Sequence, residues 1–154
     1  MAAYGNQDAG IAGSLFGTDY DIETKVVLSG VTFDFGEPVF VDAGVEDVAY
    51  AGDSNDASLK FLGVAVVSHR SYDGSEDQYV EYQDMNVVTR GQVMVPVASG
   101  LATIANAPAY VVDDRSSADY NTFTTSNSGT YDIGGYFRSN ASDGIARVEL
   151  RGLK

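Results

Sequence analysis

Apolar residues along most of this chain come in short runs punctuated by Gly, Pro, Asn and Asp, and no helical period is sustained. From Lys25 onward the runs read as strands. They are Lys25–Leu28, Val31–Phe33 after a Ser29-Gly30 break, Val39–Val41 after a Gly36-Glu37-Pro38 turn, and Leu59–His69. Tyr79–Tyr82, Asn86–Thr89, Gln92–Ala98, Ala109–Val112 and Ile145–Arg151 follow, with a Ser/Thr/Asn-rich loop at 116–130 broken by a short strand at Phe123. Gly63, inside the strongest run, predicts a bulge or a close backbone approach. Val93, Val95 and Val97 share one face, while Pro96 on the other face removes a ladder donor, which predicts an edge or bulged strand. In the last run Ala146, Val148 and Leu150 face one way and Arg147, Glu149 and Arg151 the other. Many short strands at this spacing predict an all-β class, a single small β-barrel or β-sandwich domain over residues 25–154.

Residues 1–24 differ. They are rich in Gly, Ala and Asp, with isolated apolar side chains at Tyr4, Ile11, Leu15 and Phe16 and no period. The expectation is an extended N-terminal arm, either disordered or ordered on a partner by adding a strand to a neighbour's sheet edge. Those four apolar residues are the candidate partner-binding side chains.

Composition narrows the function. A chain of 154 residues with 44% hydrophobic and 20% charged residues forms one globular domain. Cysteine is absent, which excludes disulfides and thiolate metal sites. The start lacks a basic, then apolar leader, and no apolar run approaches the ~20 residues that span a bilayer. The net charge of −13 is unevenly placed: residues 1–84 carry sixteen acids against three bases, and residues 85–154 carry six of each. Such a balance argues against direct nucleic-acid contact and against anionic membranes. It fits solubility and repulsion between copies, or attraction to a basic partner surface.

The chemistry-bearing residues form no catalytic set. His69 is the single imidazole, it ends a strand run, and no G-x-S-x-G elbow is present. Asp53, Asn55 and Asp56 form one acidic group and Asp73, Glu76 and Asp77 another, but neither follows the twelve-residue calcium loop, and Asp and Asn are ordinary turn residues. Gly134-Gly135 has no Lys-Ser or Lys-Thr after it, so it is no phosphate loop. Tyr72, Tyr79 and Tyr82 suit an interface or a barrel rim, and Trp, the usual sugar platform, is missing. The reading is a binding or structural module with no cofactor and no metal.

Six segments in order resemble the tailed-bacteriophage capsid decoration, or structural cement, proteins. They are Ala9-Gly10-Ile11-Ala12-Gly13-Ser14-Leu15, Phe35-Gly36-Glu37-Pro38-Val39, Phe61-Leu62-Gly63-Val64-Ala65-Val66, the run Asn86 to Val97, Ala109-Tyr110-Val111-Val112, and Gly144-Ile145-Ala146-Arg147-Val148-Glu149-Leu150. The stretches 71–84 and 116–130 depart from the family pattern. The resemblance implies a β-barrel-like subunit that binds the major capsid protein on the outer surface of an expanded icosahedral head. It implies a homotrimer at three-fold and quasi-three-fold positions, clamping capsid subunits against the pressure of packaged DNA. The competing expectation, motivated by the Asp/Tyr-rich loops, is a virion-surface carbohydrate- or receptor-binding module.

Overall fold

In the computed structural model the described residues are 12–67 and 78–152. Among them eleven strands and no helix form: β1 (Leu15–Val27), β2 (Phe33–Asp34), β3 (Pro38–Asp42), β4 (Val45–Tyr50), β5 (Leu59–Ala65), β6 (Gln78–Tyr79), β7 (Asp84–Pro96), β8 (Pro108–Val111), β9 (Phe123–Thr124), β10 (Tyr131–Phe137) and β11 (Ile145–Arg151). The all-β class therefore stands. Nine strands join in the order β1-β4-β3-β5-β7-β11-β10-β8-β9, and β2 pairs with β6 apart from them. Because β1 also pairs with β7, the strands β1, β4, β3, β5 and β7 close into a circuit. β11, β10, β8 and β9 extend from β7 as an open wing.

Side-chain alternation sends residues to two cores. One lies within the circuit. All five circuit strands contribute to it, with Val27, Val39, Ala49, Leu62, Ala65, Met85 and Val87, joined by Phe33 of β2 and Tyr79 of β6. The other joins circuit to wing and holds Phe40, Val64, Val88, Val93, Val95, Phe123, Phe137 and Val148. Phe40 meets the rings of Phe61 and Tyr131 edge-on at 5.8 and 5.2 Å. The boundary between the cores is the β5–β7 ladder. There the pair Val64–Val88 feeds one cluster and the next pair, Ala65–Val87, feeds the other.

Gly63 makes that ladder possible, and both expectations for it hold. A Cβ at Gly63 would overlap the Val88 carbonyl oxygen, so only glycine lets β5 come this close to β7. The register with β3 also slips here, from Val39–Gly63 to Phe40–Phe61, leaving Leu62 as the bulged residue.

Three strand assignments differ from the sequence pattern. β1 begins at Leu15, not Lys25, because every residue from Phe16 to Thr24 is exposed and so shows no alternation. The runs 86–89 and 92–98 are one strand, β7, which passes through Gly91 at φ 122°. β7 is also central rather than an edge, with β1 on one side and β5, then β11, on the other. Pro96 is tolerated there for a local reason: the Val97 N–H donates to Gly144 on the β11 side, so the Pro96 nitrogen faces the opposite side, past the last β1 pair at Val93. β4 was not expected, whereas β10 covers the strand-like stretch around Gly134-Gly135. β10 carries Gly134 at φ 71° and Gly135, where a Cβ would stand 2.5 Å from the Glu149 oxygen.

Replacing Gly63 with Ala should destabilise the fold by about 2–3 kcal/mol, because backbone rather than a mobile side chain occupies the space. Urea unfolding of the variant beside the parent measures this. An unchanged midpoint would show that β5 can step away from β7 at no cost.

Candidate functional site

The N-terminal segment joins the body at Ala12-Gly13-Ser14. The Gly13 N–H donates to Met94 O at 2.7 Å, the Met94 N–H to Ser14 O at 2.9 Å, and the Val67 N–H to Gly13 O at 3.0 Å. Gly13, at φ 84°, packs backbone to backbone on Gly36, at φ 88°. A Cβ on Gly13 would lie 2.9 Å from Phe35 Cβ, and one on Gly36 would lie 2.8 Å from Ala12 Cβ. Gly36 N–H donates to Ala65 O at 2.8 Å, and Ala65 N–H to Glu37 O at 3.0 Å. Four of the segments behind the family resemblance, around residues 13, 36, 65 and 94, thus meet at one junction.

Of the four candidate anchors, Tyr4 and Ile11 lie outside the described residues, as do His69, Tyr72, Asp73, Glu76 and Asp77. Leu15 and Phe16 open β1 and diverge. Leu15 pairs with Val93 and packs partly buried against the circuit–wing core. Phe16 is 40% exposed, with the Arg147 guanidinium 3.9 Å from its ring centre.

Beyond Phe16 the strand bulges. The register shifts between Phe16 and Asp21, and Tyr20 settles on Gly91, where a Cβ would be 2.5 Å from Tyr20 Cβ. Arg90 clasps the bulge through Asp21 at 2.8 Å and Asp19 at 3.0 Å, and this partner holds the Asp21 carboxyl below its ordinary range. Tyr20 and Ile22 join Phe16 as exposed large apolar residues, at 38% and 39%. β1 meets β4 only at Val26 and Val27, so among the described strands nothing pairs with its outer edge from Leu15 to Lys25. An exposed strand that carries three large apolar side chains along an open edge is a candidate interaction surface. Tyr20, Ile22 and Arg90 escaped the sequence reading, because a both-sides-exposed strand has no period. The glycine after Arg90 was the available signal.

The acids serve the backbone. Asp53 accepts from Asn55 N–H and Asp56 from Ser58 N–H, each at 3.0 Å, as turn caps. No group of three metal-ligating side chains forms among the described residues. Glu37, beside the junction, is different: burial pushes its carboxyl up to about 7, against the 2.9 Å hydrogen bond it accepts from Asp34 N–H.

Residues 2–151 match the family model of the structural cement protein (E217 gp24/Pam3 gp6). A chain of the solved capsid of Myoviridae Phage XM1 shares the fold, with a TM-score of 0.76 at 18% identity, over 94% of this chain and 91% of that one. No curated protein matches the chain.

Glu37 generates a pH prediction. The folded chain holds the Glu37 proton up to about pH 7, whereas the unfolded chain releases it near the ordinary 4.5. Unfolding in that window therefore releases a proton, and stability falls as pH rises through it. Burial pushes Asp113 up as well, with the same sign. Glu37→Gln keeps the acceptor for Asp34 N–H and should remove most of the slope, on the order of 3 kcal/mol between about pH 5 and about pH 8. Urea melts of parent and variant at the two pH values read it directly; parallel slopes would show that Glu37 is solvated in the folded chain.

Proposed function

Because this chain belongs to the phage structural cement proteins, whose role is structural rather than catalytic, we propose that it binds the major capsid protein on the outer surface of the expanded head. In this reading a homotrimer occupies three-fold and quasi-three-fold positions. The observation that supports it most is the exposed β1 edge, with Phe16, Tyr20 and Ile22 outward and its root locked by Gly13 and Gly36. Leu15 seats the start of the strand, Phe16 reaches the capsid, and Tyr4 and Ile11 extend the contact. A subunit that bridges several capsid proteins adds modest contacts into firm attachment. One that binds only the expanded lattice stabilises that lattice by mass action.

Co-sedimentation with expanded heads lacking this protein, beside unexpanded proheads, tests the proposal. Saturable binding to expanded heads alone is expected. Removing residues 1–16 should leave a folded body, since the circuit closes through Val26 and Val27, but should abolish head binding. Undiminished binding by the truncated chain would remove the N-terminal anchor from the proposal.

A further inference from the structure

The bulge in β1 is held at two adjacent residues of β7. Between the pairs Phe16–Gln92 and Asp21–Arg90, residues 17–20 of β1 stand opposite Gly91 alone. The next pair, Ile22–Val88, slips the other way and leaves Thr89 unmatched, so Asp21 lies between two opposed register shifts. Asp19 and Asp21 flank Tyr20, and one guanidinium takes both. Arg90 Nε donates to Asp21 Oδ2 at 2.8 Å, and Arg90 Nη2 donates to Asp21 Oδ1 at 3.4 Å and to Asp19 Oδ1 at 3.0 Å. Tyr20 rests on Gly91, at φ 122°, where a Cβ would come within 2.5 Å of Tyr20 Cβ and 3.0 Å of Asp19 O. The side chain at 90 clamps the bulge, and the missing side chain at 91 seats it.

Little else fixes this segment. A groove of about 470 Å³ lies beside it, between Phe16–Asp19 and Glu149–Arg151. No atom stands within 4 Å of the Cβ position of Gly17. Ion pairs as exposed as these add little to the stability of the whole fold. Their effect is local: without them, residues 17–20 are a loose excursion of an edge strand. A guanidinium fork meets two carboxylates at once, and the ammonium of lysine does not reproduce that geometry.

We propose that Arg90 is a positioning residue, whose clasp on Asp19 and Asp21 pre-organises Tyr20 as a contact side chain for the partner that β1 binds. The proposal rests on the reading of β1 as the capsid-binding edge, and it adds the device that keeps the edge in shape. A partner that must order a loop loses affinity in doing so, whereas a strand already fixed spares that cost. Tyrosine is among the side chains that carry most of the energy of an interface. Bulges serve elsewhere to re-aim a side chain in this way.

Backbone NMR relaxation of the free full-length chain, with dissociation from expanded heads measured beside it, tests the proposal. In the parent, backbone order at residues 18–21 should match that of β7. In Arg90→Lys it should fall to that of a mobile loop, while the urea midpoint stays where it was. Head binding by Arg90→Lys should weaken about fivefold to tenfold, through faster dissociation. Tyr20→Ala should weaken it about tenfold. Because Arg90 acts through Tyr20, the double variant should bind no worse than Tyr20→Ala alone. Asp19→Ala releases the clasp from its exposed end and should repeat the effect of Arg90→Lys, which guards against an effect of the lysine itself. Unchanged order in both clasp variants overturns the proposal, and so does a Tyr20→Ala chain that binds like the parent. Additive losses in the double variant overturn it too, since Arg90 would then touch the partner itself. Heads bound equally by the parent and both clasp variants sink the clasp alone. A parent that ignores expanded heads sinks the capsid reading, and the role of the clasp falls with it.

Discussion

Val64 and Val88 sit opposite one another across the β5–β7 ladder, and so do Ala65 and Val87, yet the two pairs look into different cores. Everything else is arranged around that partition. A strand has two faces, and here both are apolar: β7 buries Val87 inside the circuit and Val88, Val93 and Val95 beneath the wing. Two clusters of this kind stay separate only if no gap opens between β5 and β7. Gly63 keeps the gap closed, because its missing Cβ is where the Val88 carbonyl stands. The same strand then passes Gly91 and takes up β11, so one continuous backbone serves both halves.

The junction at Gly13 is built on the same principle. Two glycines with positive φ face each other, and the hydrogen bonds around them reach β5 at Ala65 and β7 at Met94. Segments far apart in sequence share this point. The exposed strand that follows has its root held and its outer edge open.

Much of the fold could be read from the chain. The strands at Val39, Leu59, Ala109 and Ile145 announced themselves by alternation or by turn residues on either side, and Gly63 by its place in an apolar run. What could not be read was decided by partners distant in sequence. β1 is a strand because β7 lies beside it, not because its residues alternate. Pro96 looks like an edge residue until the direction of the Val97 hydrogen bond is known. The arginines of β11 were visible as an outward row, but the rings holding them, Phe16 and Tyr136, are brought in by β1 and β10. Of the candidate anchors, sequence could not separate Leu15, which is drawn into the core, from Phe16, which is left outside. Their roles follow from the parity of one ladder, Leu15–Val93 and Phe16–Gln92.

The antiparallel run of β1 along β7 has a mechanical consequence. Its hydrogen bonds lie across the strand direction, and the register extends from Leu15–Val93 to Val26–Asp84. Tension applied at Ala12 along the axis of β1 would strain these bonds together, in shear, instead of peeling them one at a time. The two ion pairs from Arg90 to Asp19 and Asp21 straddle the bulge, the one place where such a ladder could begin to slip. A chain tethered through its N-terminal segment is thereby coupled to β7, which contributes to both cores.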